Sequence, residues 1–194
     1  TQMIVKGHDF GKCTLVGILV ADMSLFSPDF RAGERTFQLL TQASGRAGRG
    51  KLKGDVVIQT YNPDHYCIKT ASDADYEGFY DEEMSYRRIM DYPPARCMLT
   101  VILESKDEQY MIGKSEELAV LIKNEHSDKR QFRRITGPAD APLYKADDHY
   151  RRMITIKSQD YGLLVNIKDR VQEWADSFTQ DQAGKKLRLD YVFN

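Results

Sequence analysis

Arg46 and Arg49 stand three residues apart in the stretch Gln42-Ala43-Ser44-Gly45-Arg46-Ala47-Gly48-Arg49-Gly50, with Gln42 one turn before the first of them. On a helical turn, residues spaced i,i+3 share a face, so the two guanidinium groups are aimed together. A guanidinium is planar, permanently charged and forked, and it suits a phosphate better than an ammonium does. Gly45, Gly48 and Gly50 leave room for a bulky partner to approach the backbone. This is the chemistry of an arginine finger, a side chain that reaches a nucleotide's terminal phosphate and stabilises charge developing in phosphoryl transfer. An isolated R-x-x-R would read as a solvated helix end with a glycine stop. The segments around this one change that reading.

The elements that must position the arginines are short. Phe37-Gln38-Leu39-Leu40 is an apolar helical run leading into the loop. Leu15-Val16-Gly17-Ile18-Leu19-Val20 is short and continuously apolar, so it reads as a buried strand, with Asp55-Val56-Val57-Ile58-Gln59-Thr60-Tyr61 as its partner. Residues 1–61 thus run loop, strand, long loop, helix, arginine loop, strand, which is half of an α/β nucleotide-handling layer. At the start, Lys6, Gly7 and Asp9 fall on a loop. Gly7 permits a tight turn, and Asp9 can cap a turn or orient a water. Thr1 and Gln2 can donate to phosphate oxygens, contacts that position a nucleic-acid strand without reading its sequence. Taken alone, residues 1–10 would be an ordinary surface loop with a solvated lysine.

Residues 1–10 resemble motif V of superfamily two helicases, and residues 42–49 resemble motif VI. The block between them, from Asp22-Met23-Ser24-Leu25 through Pro28-Asp29-Phe30-Arg31-Ala32-Gly33-Glu34-Arg35-Thr36-Phe37-Gln38-Leu39-Leu40-Thr41-Gln42, is more particular. It is similar to the bacterial primosomal replication-restart helicases, as are Tyr61-Asn62-Pro63 and Tyr92-Pro93-Pro94. The resemblance is close over 1–97; beyond that it rests on length and element order. It implies the carboxy-terminal part of an ATP-dependent DNA helicase, moving 3′ to 5′, that recognises stalled or branched replication forks and restarts replication by primosome assembly. It implies ATP and magnesium between two helicase lobes, with Arg46 and Arg49 facing the γ-phosphate and Gln42 completing that surface. Gly7 and Asp9 would lie on the nucleotide side, and Thr1, Gln2 and Lys6 toward the DNA backbone. Ser44 departs from the small apolar residue often found there and should matter little.

The same resemblance implies a fragment. No G-x-x-x-x-G-K-S/T occurs, so nothing here cradles a β-phosphate or carries magnesium, and the chain alone is expected not to hydrolyse ATP. The family's zinc-binding cysteine pairs would lie upstream. Cys13, Cys67 and Cys97 form no C-x-x-C pair, and no metal site is expected among them. The family docks the acidic tail of single-stranded DNA-binding protein. Residues 161–165 differ from its pattern, so no pocket residues are carried over. Forked or single-stranded DNA and other primosome proteins are the remaining implied partners, and a bacterial cytoplasmic, nucleoid-associated setting is implied with them.

A formal charge of −1 over 194 residues excludes a globally basic binder, so any nucleic-acid contact must be local. No apolar run approaches membrane-spanning length, and no signal pattern opens the chain.

The expected organisation is the end of a second, RecA-like helicase lobe over 1–61, a helical connector over 62–94, and an α+β domain over 95–194. In the connector, Asn62 and Pro63 can start a helix. A second helix over 75–90 would bury Tyr76, Phe79, Tyr80, Met84 and Ile89 and leave Asp81-Glu82-Glu83 wet. Tyr92-Pro93-Pro94 ends it. The last domain reads as strand 97–103, helix 107–123, strand 132–137, a polar loop over 138–149, strand 151–158, helix 160–178 and strand 186–193. That order is the split βαβ, or ferredoxin-like, pattern. Trp174 is read as core. Lys129, Arg130, Arg133 and Arg134 form a basic cluster, and Arg151 and Arg152 open the next strand. Paired as a hairpin, these could share a sheet surface for a DNA backbone, with Phe132, Tyr144 and Tyr150 as stacking platforms. The alternative is a solvated hairpin neutralised by Asp128, Asp147 and Asp148. Residues 95–194 could accordingly be a non-catalytic binding module for branched DNA or single-stranded DNA-binding protein, or only a brace for the motor lobe.

Overall fold

A computed structural model describes residues 13–48, 53–125, 134–177 and 187–194. Contacts divide the chain into two compact units, Thr1–Tyr86 and Arg87–Asn194. The whole is mixed α/β, with a small parallel sheet in the first unit and an antiparallel sheet in the second.

In the first unit, β1 (Leu15–Ile18) pairs in parallel with β2 (Asp55–Ile58), Leu15 opposite Asp55 and Ile18 opposite Ile58. A 3-10 turn, Ala21–Ser24, and helix α1 (Ala32–Ser44) connect them. Asp29 sets the start of α1. Its carboxylate accepts from Arg31 N–H at 3.0 Å and pairs with Arg35 at 2.7 Å, near the positive end of the helix dipole. Phe37 and Leu40 of α1 are buried with Ala21, Cys67, Ile68, Ala71 and Phe79. Phe37 stacks on Phe79 with centroids 4.1 Å apart.

Helix α2 (Tyr66–Ser72) starts later than Asn62 and Pro63 suggest. Its cap is His65, whose ring Nδ1 accepts from Cys67 N–H. Helix α3 (Tyr76–Ile89) starts where expected, Asp75 accepting from Gly78 N–H at 2.9 Å, but turns a different face inward. Phe79, Glu83 and Arg87, spaced by four, are buried, while Tyr76, Tyr80 and Ile89 are exposed. Glu83 leaves the expected acidic wet face because Tyr66 offers it a hydroxyl at 2.7 Å.

In the second unit the strands are β3 (Cys97–Ser105), β4 (Arg134–Ala146), β5 (His149–Ser158) and β6 (Arg188–Phe193), in the order β4-β5-β3-β6, every pair antiparallel. Helices α4 (Glu108–Glu125) and α5 (Tyr161–Asp176) supply Met111, Leu118, Ala119, Ile122, Leu164, Ile167 and Val171 to one core. Leu99, Val101, Leu103, Ile154 and Ile156 meet them from the strands, and Trp174 of α5 packs half-buried against the same cluster. Asp107 and Asp160 cap the two helices, accepting from Tyr110 N–H and Leu163 N–H.

The polar loop expected over 138–149 is largely strand. β4 runs on to Ala146 with register shifts between Thr136 and Ala139 and between Asp140 and Lys145. Pro138 and Pro142 fall in those two irregular stretches, where a missing N–H leaves no gap in the ladder. The β4–β5 turn is Asp147-Asp148, both at positive φ (49° and 59°), the left-handed pair that a two-residue hairpin takes.

Candidate functional site

The arginine loop grows directly from the end of α1. Gly45, Arg46 and Ala47 continue it with tight main-chain bonds to Thr41, Ala43 and Ser44 carbonyls at 3.0, 3.0 and 3.1 Å. Gly48, at φ 71°, turns the chain out and donates to the Cys13 carbonyl at 2.9 Å. Cys13 lies just ahead of β1 and Gly54 just ahead of β2, and the 47–48 peptide rests against Gly54. The loop is therefore seated on the starting ends of both parallel strands. Gln42 is exposed on the last turn of α1, and Arg46 is half-buried. The structure thus carries Gln42 and Arg46 on one helix end with a fixed backbone. Arg49, Thr1, Gln2, Lys6, Gly7 and Asp9 lie outside the described residues.

The opposite end of the strand pair is held by a residue to which the sequence assigned no role. Asp22 is 2 % exposed and follows β1 in the 3-10 turn. Its carboxylate accepts from the Thr60 hydroxyl at 2.7 Å and from Tyr61 N–H at 2.8 Å, just beyond β2. The Thr60 hydrogen bond foremost, then the Tyr61 amide, holds the Asp22 pKa below the ordinary carboxylate value. Ala21 N–H donates to the Gln59 carbonyl at 2.9 Å alongside. The available signal was an acid a few residues after one apolar strand and a Thr two residues after its partner. Beside α2, burial pushes the Cys67 thiol up to about 12, so it is an inert packing group.

In the second unit the basic residues separate. Arg134 opens β4, exposed, directly across from Lys157 of β5. Lys157 is buried, donates to the Met90 carbonyl at 2.8 Å and stands 3.5 Å from the centroid of the Tyr92 ring. Burial first, then the charge of Arg134, lowers its pKa.

Arg151 and Arg152 do not share a surface, because successive strand residues point to opposite faces. Arg151 pairs with buried Glu104 of β3 at 2.6 Å. Arg152 reaches to the helix side and donates to Ser115 Oγ at 2.7 Å, Glu116 at 3.1 Å and the Pro138 carbonyl at 3.2 Å, with Asp140 3.4 Å away. Both serve the fold with the groups that the patch expectation would have turned outward. Arg133, Lys129, Arg130, Phe132 and Asp128 lie outside the described residues.

Tyr144 and Tyr150 meet edge to face at 5.6 Å. Tyr144 donates to Glu108 at 2.5 Å, which raises its pKa to about 12, and the Lys145 ammonium lies 4.8 Å from the Tyr150 ring centroid. The rings are thus engaged by each other, by Lys145 of the hairpin and by Glu108 at the start of α4. Among the described residues no three His, Cys, Asp or Glu come together to hold a metal ion, and no helix is long and apolar enough to cross a membrane.

Residues 88–191 match the family model described as the primosomal protein N C-terminal domain. The replication restart protein PriA of Bacillus subtilis (strain 168) is 45% identical over 174 residues, covering 89% of this chain and 21% of that protein. PriA of Borreliella burgdorferi is 36% identical over 173 residues (89% and 26%), and that of Synechocystis sp. is 34% identical over 173 residues (89% and 20%). The chain therefore spans about a fifth to a quarter of the length of these relatives.

Proposed function

Because the chain belongs to the family of replication restart proteins PriA, we propose that it is the carboxy-terminal part of an ATP-dependent DNA helicase that restarts replication. The parent recognises stalled or branched forks, moves 3′ to 5′ and assembles the primosome, a bacterial cytoplasmic task. One observation carries the motor part of this reading. The loop bearing Arg46 leaves the end of α1 and is fixed by main-chain contacts to both parallel strands, so its guanidinium is delivered from a rigid base. The parallel pair with its helical crossover supports reading the first unit as the end of a RecA-like lobe. The strand order β4-β5-β3-β6 with two helices on one core supports a ferredoxin-like second unit.

In this reading ATP supplies the terminal phosphate between two lobes. Arg46 and Arg49 donate to its oxygens as negative charge develops, and Gln42 borders them. A planar fork held in advance needs no reorganisation when the charge appears, which is where the rate advantage comes from. Gly7 and Asp9 sit on the nucleotide side of motif V. Thr1, Gln2 and Lys6 touch the DNA backbone there, linking nucleotide state to strand position. Magnesium and zinc are assigned to other parts of the parent, because this chain carries no P-loop motif and no C-x-x-C pair. In the second unit, Arg134 is an exposed basic residue at the start of β4 and serves as a DNA-backbone contact in this reading, together with Arg133, which lies outside the described residues. Arg151 and Arg152, toward the other end of β5, are engaged by Glu104 and Ser115. Single-stranded DNA-binding protein and other primosome proteins are the protein partners.

The test is ATP hydrolysis by the full-length protein, with and without forked DNA. Arg49→Ala and Arg46→Ala should each lower fork-stimulated turnover by about 10³-fold, the scale of an arginine finger, while ATP still binds. Wild-type turnover in both variants would remove the motor reading. Turnover absent from the native protein as well would favour a DNA- or protein-binding scaffold.

A further inference from the structure

Two main-chain contacts fix the peptide between the arginines. On one side, Gly48 N–H donates to the Cys13 carbonyl at 2.9 Å. On the other, Gly54 lies flush against the same peptide. A Cβ added to Gly54 would overlap the Gly48 nitrogen and stand 2.7 Å from the Ala47 carbonyl carbon and 2.8 Å from Gly48 Cα. All three are main-chain atoms, so no side-chain rotation relieves the overlap and the loop itself would have to move. Gly48 is already at φ 71°, and a shift there strains its bond to Cys13. The demand is local, for at Gly17, on the adjoining strand, an added Cβ meets nothing within 4 Å.

We infer that Gly54 is a positioning residue for the arginine loop. Its missing side chain sets the depth at which residues 46–48 seat on the strand starts, and so the point in space to which the Arg46 guanidinium is delivered. This rests on the reading of Arg46 as the phosphate-facing group. Gly54 touches no nucleotide. It acts only through the loop, so its loss should appear in the step where the arginine's placement matters.

The experiment uses the full-length protein with ATP and a forked DNA duplex, comparing native, Arg46→Ala and Gly54→Ala. For Gly54→Ala, kcat should fall about 10²-fold, the cost of an ångström-scale misplacement of a group acting in the transition state. KM for ATP and affinity for the fork should stay at native values, because ground-state binding is not what the loop's depth controls. The protein should remain folded at the assay temperature, although reseating the loop lowers its melting temperature. Native kcat in Gly54→Ala, with Arg46→Ala inactive, overturns this inference and leaves the functional reading intact. Loss of ATP and fork binding together in Gly54→Ala also overturns it, because the glycine would then serve folding at large. Native kcat in Arg46→Ala removes Arg46 as the phosphate-facing group, and this inference with it.

Discussion

At the scale of single residues, Asp22 is the group whose charge the fold most plainly uses. Its carboxylate is buried and bound to Thr60 and Tyr61, and its pKa lies below the unfolded value of 3.8. A carboxylate depressed in this way contributes stability that is fully present above the unfolded pKa and fades as pH falls through the folded one. Asp22→Asn should therefore unfold at lower urea than the native protein at pH 7. The gap should narrow as pH falls below about 4, first because the unfolded carboxylate takes up its proton and then, at lower pH, because the native one does. Equal urea midpoints at pH 7 would show that Asp22 holds nothing. The arginine loop was legible in the sequence because its chemistry lies in adjacent residues. Asp22 was not, since its partners are 38 and 39 positions away and a strand pairing brings them together.

At the scale of elements, Arg152 ties α4 to β4 and β5. It bonds Ser115 and Glu116 on the helix, the Pro138 carbonyl on the neighbouring strand and, across 3.4 Å, Asp140. Its side chain is 14% exposed. Arg152→Met should lower the unfolding free energy by about 1–3 kcal/mol, chiefly because the buried Ser115 hydroxyl would lose a charged donor, the exposed Glu116 and Asp140 adding little. The same variant should leave the salt dependence of DNA binding unaltered, and a flattened salt slope would return Arg152 to the nucleic-acid surface. Sequence periodicity located every helix and strand of the second unit because apolar spacing survives in each. It misjudged β4, where two prolines mimic a loop although each sits at a register shift and interrupts no hydrogen bond. It misjudged the inner face of α3, where the buried Glu83 accepts from Tyr66, which approaches from a different helix. It offered Arg151 and Arg152 to one sheet surface, with a neutralised hairpin as the alternative, from charge alone, whereas strand alternation sends the two side chains to opposite faces.

At the scale of the molecule, the two units differ in how completely they enclose their apolar surface. The second has a core closed by four strands and two helices. In the first, Leu15 and Val57 on the parallel pair are exposed, as are Leu19, Met23 and Phe26 nearby. Parallel sheets are ordinarily covered on both faces. Residues 87–194 expressed alone should accordingly give a single cooperative melt, followed by circular dichroism. A broad, non-cooperative trace would show that this core needs the rest of the chain. The placement of Trp174 has a practical consequence. It is the chain's single tryptophan, and it packs on the core of the second unit. Indole fluorescence during unfolding therefore follows that unit alone, whereas backbone ellipticity follows both. Recorded together on the intact chain, the two signals would separate the melting of each unit without a cut.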